Sequence, residues 1–297
     1  MADIISKGTL FPKELVPELI KMTKGHSSLA RLCASEPLPF NGQTEFTFAL
    51  DKEVDVVAEN GAMSKGGATI APVTIVPVKV EYGTRISDEF LYANESVQLD
   101  YMKAFSDGFA AKIGKGLDLM ALHGWNPRTM ASSSVIGDNH FDGKVDQSVT
   151  IASATADADI ESAIALVNGS EFDVTGLLMA PDFKASLAGM VDKSGRKIYP
   201  ELAWGNAPGT INGLTTETNL TVSANSSTDR ALVGDFRNYF RWGIARDIAL
   251  EIIKYGNPDN DTTLGDLKGH GQIYLRGTTY LGWGILAPKA FAMIKSA

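Results

Sequence analysis

The sequence has almost no cysteine and no long apolar run. Cys33 is the single cysteine among 297 residues, so an internal disulfide is excluded, together with the class of small secreted scaffolds that disulfides hold together. No stretch approaches the roughly 18 consecutive apolar residues of a membrane span, and the first residues lack the apolar core and cleavage site of a signal peptide. We therefore expect a soluble protein that is made in the cytoplasm and has no membrane partner.

Basic charge is also scarce. Lysine and arginine number 27 against 35 acidic residues, and the formal net charge is −8. Proteins that coat nucleic acid neutralise its phosphates with a basic face, so this class is excluded and any nucleic-acid contact is expected to be local or weak. Apolar residues make up 44% of the chain, which is enough for a sizeable core. The length predicts two lobes or one domain with large extensions.

Motifs that carry chemistry are missing. The histidines occur in no HExxH and there is no CxxC, so no spacing supports a zinc site. The segment 256–266 begins like a calcium loop but lacks the required glycine and final glutamate. GxGxxA at 282–287 is followed by Pro288 and leaves no room for a dinucleotide-binding fold. We predict a non-enzymatic protein without cofactor or metal; a soluble enzyme with an unrecognisable site is the alternative.

Charge changes sign along the chain. Residues 1–31 carry five basic and three acidic side chains, whereas residues 36–100 carry eleven acidic and four basic ones. One interpretation is a basic arm that docks on the acidic region of a neighbouring copy. Two solvated surfaces without mutual contact are the other interpretation, and charge alone does not separate them.

A period-two pattern predicts a β-ribbon. Residues 43–50 place Phe46, Phe48 and Leu50 on one side, and residues 72–82 are rich in β-branched side chains. We interpret these as two strands of one hairpin, joined by a glycine-containing connection of about twenty residues, which is long for a compact domain. A two-stranded ribbon is marginal alone in water and needs another surface, which the next subunit of a homo-oligomer provides.

A long helix is predicted after the ribbon. Ser87 and Asp88 are suited to cap a helix that runs to about Leu122, a rod on the order of 50 Å. Further on, the pattern predicts a helix around Ile160–Asn168 and a buried strand at 172–180. Helix and strand compete for the segment after Phe240, and the tail is rich in β-formers. The mixture predicts an α+β fold with two lobes.

Several segments, in order, resemble one family. The run 56–94 is similar to the extended loop, return strand and start of the long helix in tailed-bacteriophage major capsid proteins of the Hong Kong 97 type. Segments 172–201, 211–219, 231–240 and 275–295 follow with similar order and spacing. Within the first run, the residues that match the family pattern are Glu59, Gly61, Pro77, Lys79, Ile86, Ser87, Glu89 and Phe90.

The resemblance implies a Hong Kong 97-like capsid fold with named parts. These are an N-terminal arm (1–40), an extended β-hairpin loop (41–82), a peripheral domain with a long spine helix (83–145), an axial domain (146–250) and a return to the peripheral domain (251–297). It also implies a major capsid protein that assembles through pentamers and hexamers into an icosahedral shell. The shell would enclose double-stranded DNA without sequence-specific binding.

The resemblance further suggests partners and interface residues. Because the family-like part begins almost at Met1, we expect a separate scaffolding protein, together with a portal. Assembly is expected in the host cytoplasm, and the mature location is the virion capsid. Encapsulins, which share this fold and enclose cargo enzymes, remain an alternative. The candidate subunit-interface residues are Lys7, Lys13, Lys21, Lys24 and Arg31 in the arm, and Asp51, Glu53, Asp55, Glu59 and Lys65 in the loop.

Overall fold

The structure, a computed structural model, describes residues 26–151 and 155–296. The helices are Ser28–Leu32 (α1), Glu95–His123 (α2), Phe141–Lys144 (α3), Ala156–Gly169 (α4), Pro181–Gly189 (α5) and Phe236–Tyr239 (α6). The strands are Gln43–Leu50 (β1), Ala68–Ile75 (β2), Val78–Ser87 (β3), Trp125–Asn126 (β4), Ala131–Ser132 (β5), Ser148–Thr150 (β6), Gly176–Met179 (β7), Thr210–Ile211 (β8), Leu214–Thr218 (β9), Asp229–Gly234 (β10), Phe240–Ile253 (β11), Gln272–Ile285 (β12) and Phe291–Lys295 (β13).

Two main sheets organise the described chain. A mixed six-stranded sheet has the order β6-β13-β10-β7-β9-β8, and a three-stranded antiparallel sheet has the order β11-β12-β3. Strands β1 and β2 form a separate antiparallel ribbon. The mixed helix-and-sheet architecture predicted from the sequence is confirmed.

Two apolar cores lie on opposite faces of the six-stranded sheet. Neighbouring residues of a strand point to opposite faces. Leu178 and Leu232 therefore belong to the core that contains α2, whereas Leu177 and Val233 belong to the core that contains α4 and α5. Strands buried on both faces form continuous apolar runs rather than alternating patterns, which explains the unbroken apolar segment Gly176–Met179.

The predicted hairpin needs a correction at its second strand. Strand β1 pairs with β2 (Ala68–Ile75), so only residues 72–75 of the predicted second strand (72–82) belong to the ribbon. Ile75 is fully buried, and after Pro77 the chain joins the other sheet, where β3 pairs with β12. Proline has no amide hydrogen to donate to a strand ladder, so the chain changes partners there. The ribbon therefore occupies less of the expected 41–82 segment.

The predicted rod is shorter and interrupted. Ser87 caps a short 3-10 helix at Asp88–Tyr92, and its hydroxyl accepts a hydrogen bond from the backbone of Glu89. Asn94 is extended, and α2 begins at the next residue. The side-chain amide of Gln98 donates to the carbonyls of Leu91 and Ala93, so local hydrogen bonds stabilise the break. The 29 residues of α2 give a rod of about 44 Å.

Strand pairing shifts the expected boundaries of the two lobes. The segment after Phe240 is the strand β11, which leaves the six-stranded sheet and pairs with β12, although residues 146–250 were expected to stay together. Strand β13 lies between β10 and β6 in the six-stranded sheet, although residues 251–297 were expected to return to the other lobe. The run Phe291–Ile294 is buried throughout, which fits an inner strand covered on both faces.

Candidate subunit interface

The ribbon presents an exposed apolar face. Phe46 lies opposite Pro72, Phe48 opposite Ile70, and Leu50 opposite Ala68. Alternate residues of a strand and their paired partners share a face, so these side chains form one row. Phe46, Phe48, Leu50 and Ile70 are between 60% and 69% exposed. Contiguous exposed apolar surface of this kind marks a site of contact with another molecule.

The connection 51–67 is held only at its base within the described contacts. The backbone amide of Gly67 donates to the Asp51 carboxylate at 2.6 Å, and Lys52 Nζ donates to the carbonyl of Lys65 at 3.1 Å. Val54, Val56 and Met63 are more than 90% exposed. The remaining acidic candidates of this connection, Glu53, Asp55 and Glu59, are exposed as well. The tip therefore combines apolar side chains with mostly acidic charge.

The arm candidates are only partly visible. Lys7, Lys13, Lys21 and Lys24 lie outside the described residues. Arg31 lies in α1, and its guanidinium forms an ion pair with Glu217 of the same chain at 3.0 Å. Its side chain is half exposed. Of the arm candidates the structure describes Arg31 alone, and its ion pair is with Glu217 rather than with a residue of the loop.

Asp118 fixes the beginning of the described chain. Its buried carboxylate accepts hydrogen bonds from Ser27 Oγ at 2.6 Å and from the backbone amides of Ser28 and Leu29 at 2.9 and 3.2 Å. Asn219 and Thr221 donate to it from the loop after β9, at 3.1 and 3.2 Å. Burial raises the pKa of Asp118, and these hydrogen bonds act in the opposite direction. Sequence reasoning missed this anchor, although an acid within the apolar run around Leu117 was a signal.

A second polar cluster lies at the end of α2. His123 Nδ1 is 2.7 Å from Asp142 Oδ2 and 3.5 Å from Asp229 Oδ2. Its Nε2 is 2.9 Å from the carbonyl oxygen of Thr221, and its ring stacks on Trp125 at 4.4 Å. In the sequence His123 is one of several scattered histidines, because its partners come from distant segments of the chain.

His123, Asp142 and Asp229 form the one set in the described part of the chain that brings three potential metal-ligating atoms within 4.8 Å of one another. The geometry does not suit an ion. Two ligands that share a zinc ion with bonds of about 2.1 Å lie about 3 Å or more apart. His123 Nδ1 and Asp142 Oδ2 are separated by 2.7 Å, which is a hydrogen-bond distance. We assign no metal to the cluster.

The acidic loop that resembles a calcium motif is bound to Arg85. The Asp259 carboxylate accepts hydrogen bonds from Arg85 Nε at 2.8 Å and Nη2 at 2.5 Å. Arg85 also donates to Asn257 and to the carbonyl of Gly265. The hydrogen bonds from Arg85 lower the pKa of Asp259 to about 2. Asp261 accepts from the backbone amides of the two residues Thr263 and Leu264.

A search for membrane-spanning helices among residues 26–151 and 155–296 finds none that is long and apolar enough.

Comparisons with known proteins identify the family. The family model described as "Phage capsid family" matches residues 7–296. A solved structure from Mycobacterium phage Ogopogo is 32% identical, with 92% of each chain covered and a TM-score of 0.78. One from Gordonia phage Cozz is 20% identical, covers 92% of this chain and 87% of that one, and has a TM-score of 0.74.

More distant structures share the fold. The chain titled "Capsid of native GTA particle computed with C5 symmetry" is 14% identical, with 91% of this chain and 90% of that one covered and a TM-score of 0.64. No curated protein sequence matches. The resemblance seen in the ordered segments is thus confirmed: the chain belongs to the phage capsid family and is a major capsid protein, a structural subunit whose copies assemble into an icosahedral shell.

Proposed function

We propose that the chain builds the head of a tailed phage through pentamers and hexamers, with the ribbon β1–β2 of each subunit lying on the next one. The observation that carries this proposal is the exposed row of Phe46, Phe48, Leu50 and Ile70. A two-stranded ribbon is marginal by itself in water, and burying a large apolar side chain contributes about 1.5–3 kcal/mol. Contact with a neighbour would supply that burial.

Charge would guide the same contact. The loop carries Asp51, Glu53, Asp55 and Glu59 beside Lys65, whereas the arm carries the four lysines Lys7, Lys13, Lys21 and Lys24. Opposite charges on two subunits favour encounter and register more than final affinity, and salt screens them. Arg31 is already paired with Glu217, so it would contribute less than the lysines.

The two lobes fit the parts of a Hong Kong 97-like subunit. We place α2 and the three-stranded sheet in the peripheral domain, and the six-stranded sheet with α4 and α5 in the axial domain. The extended loop (41–82, with paired strands only to Ile75) would project from the peripheral domain. The expected N-terminal arm (1–40) includes Leu29, Leu32 and Leu38, which are buried in the body of the subunit, so these residues belong to the subunit body rather than to a projecting arm.

The shell would enclose double-stranded DNA without sequence-specific binding, since a net charge of −8 disfavours tight phosphate contact. A separate scaffolding protein and a portal would take part, and assembly would occur in the host cytoplasm. An encapsulin-type compartment is the competing function. Nuclease-protected DNA inside shells purified from infected cells supports the phage head, whereas shells that hold a cargo enzyme and no DNA would contradict it.

Deleting residues 55–68 tests the role of the loop. The described contacts of this segment with the rest of the chain lie at the ribbon base, so the subunit should still fold, as circular dichroism would show. Assembly, followed by electron microscopy and sedimentation, should fail or become incomplete. Normal shells from this deletion would overturn the proposed contact.

A further inference from the structure

Four charged side chains meet where the long helix reaches the six-stranded sheet. His123 is the last residue of α2, and Asp142 lies in the first turn of α3. Asp229 begins β10 and Lys295 ends β13, so both come from the sheet. We call these four residues the junction cluster. It links the lobe of α2 to the lobe of the six-stranded sheet.

The hydrogen-bond partners of His123 fix its protonation state. The Thr221 carbonyl, 2.9 Å from Nε2, can only accept a hydrogen bond, so Nε2 carries a hydrogen. Nδ1 faces the Asp142 carboxylate at 2.7 Å, and a bare ring nitrogen there would oppose an oxygen lone pair. Opposite the Asp142 oxygen, Nδ1 therefore carries a hydrogen as well. Hydrogens on both nitrogens make His123 an imidazolium.

With both carboxylates ionised, the charges of the junction cluster balance when His123 is an imidazolium. Lys295 Nζ lies 3.7 Å from Asp229 Oδ1, and the Ser227 hydroxyl donates to the other oxygen of Asp229. The side chain of Asp229 is 5% exposed. With two carboxylates and one ammonium, the imidazolium brings the cluster to neutrality. Its loss would leave an uncompensated negative charge in a largely buried place, which is strongly unfavourable.

We propose that His123, Asp142 and Asp229 form a proton-binding site that fastens the end of the long helix to the six-stranded sheet, and that proton release at rising pH loosens this junction. The proposal is independent of how the ribbon contacts a neighbour. The ligand is a proton, and the state it controls is the connection between the two lobes of one subunit.

The groups around His123 also favour the binding of a proton by the junction cluster. Burial lowers the pKa of His123, but the hydrogen bond to Asp142 and the charges of Asp142 and Asp229 outweigh it, so the pKa is raised. Burial, with Asp142 nearby, also raises the pKa of Asp229. His140 precedes α3, and burial lowers its pKa, which favours its neutral form. The cluster therefore binds a proton more tightly in the folded chain than in the unfolded chain.

The stability that His123 contributes to the fold should fall as the pH rises. A histidine whose pKa rises on folding stabilises the fold fully below its unfolded pKa of about 6.5. This contribution is lost as the pH rises through the higher pKa of the folded state. The junction should accordingly be tight below about pH 6.5 and should loosen as the pH rises through the higher pKa of the folded chain.

Solid-state NMR of assembled shells with 15N-labelled histidine tests the proposal. At about pH 6.5, the unfolded pKa of histidine, we expect an imidazolium signal that is absent from His123→Gln shells and retained in His270→Gln shells. The signal should disappear on titration to higher pH. A titration midpoint of His123 at or below about pH 6.5 would overturn the proposal.

Two further experiments are needed. One applies if His123→Gln does not assemble, and the other tests whether the cluster binds a metal ion instead of a proton. If His123→Gln does not yield shells, the triple variant His26→Gln, His140→Gln, His270→Gln leaves His123 as the single histidine and reports its state directly. Treatment with EDTA, followed by added Zn²⁺ or Mn²⁺, should leave the signal unchanged. A change of the His123 signal on removal or addition of metal would identify a metal site and contradict the proton site.

Hydrogen exchange measures whether the junction loosens when the proton is released. In wild-type shells, peptides that span the end of α2 and the start of β10 should exchange faster above the pH at which the imidazolium signal disappears than below it, after correction for the intrinsic rate. A β12 peptide serves as the internal reference. Equal protection at both pH values would show that the proton does not control the junction.

Discussion

The hydroxyl of Ser27 donates a 2.6 Å hydrogen bond to the carboxylate of Asp118, which lies 91 residues further along the chain. Two backbone amides that follow Ser27 bind the same carboxylate. The point at which the N-terminal arm meets the body of the subunit is thus fixed by one buried acid. Whatever the arm contacts, its root is held on the long helix.

Asp118→Asn should destabilise the subunit strongly. An amide in place of the carboxylate turns one oxygen into a donor that faces other donors, leaving buried groups unsatisfied at about 1–3 kcal/mol each. We expect a loss of about 2–4 kcal/mol in the free energy of unfolding, measured by urea denaturation. Asp100→Asn, on the exposed side of the same helix, is the matched control and should change it by less than about 0.5 kcal/mol. Equal effects of the two substitutions would refute the anchor.

Phe48→Asn should weaken assembly without unfolding the subunit. Phe48 is 64% exposed, so the isolated chain loses little, whereas the contact loses one large apolar side chain. The concentration needed for shell formation, measured by light scattering, should rise about tenfold or more. Thr69→Asn carries a similar loss of β-propensity on the opposite face of the ribbon and should assemble nearly normally. Comparable defects in both variants would point to ribbon folding rather than to the apolar face.

Acid should release the loop 256–266 from β3. Asp259 has a pKa of about 2, below the ordinary value of 3.8, because Arg85 donates two hydrogen bonds to it. A lowered carboxyl pKa gives stability that is present above the ordinary value and is lost as the pH falls through about 2. Arg85→Lys, which cannot form the bidentate pair, should show faster hydrogen exchange of this loop already at pH 7. Lys79→Gln removes an exposed ion pair on the same strand and should leave the loop protected.

The thiol of Cys33 should be unreactive in the folded protein. It is buried and donates to the carbonyl of Phe240 at 2.9 Å. We expect labelling by Ellman's reagent to be about tenfold or more slower than in urea-unfolded protein. Rapid labelling of intact shells would show that the root of the arm opens. Cys33→Ser provides the background rate.

The sequence predicts secondary structure correctly where the local residue pattern determines it. It fails where the structure depends on contacts with residues far away in the chain. The alternating residues of β1 and the apolar run of β7 identify strands by themselves. The return strand was misplaced because Ile75 and Val78 both suit a strand, and only the partners available to each decide which sheet it joins. The break at Asn94 depends on hydrogen bonds from Gln98, which periodicity does not report.

The candidate sites likewise differ in how far the sequence predicts them. The exposed row of the ribbon follows from a period-two pattern, and the exposed tip follows from glycine and charge. The anchor assembles residues from three separate segments and the junction cluster from four, such as Asp118 with Asn219 and His123 with Asp229. No single stretch of sequence carries them, because the fold creates the spacing.

The bare apolar row on the ribbon also makes the unassembled subunit prone to aggregation. Among the described residues, β1 and β2 form a two-stranded sheet, so strands of another copy can add at its edges in any register. Pro72 interrupts one edge, and the charges of Asp51 and Glu53 stand at the end of β1 as gatekeepers. In a newly made subunit, ordered assembly therefore competes with aggregation. The acidic residues slow the aggregation.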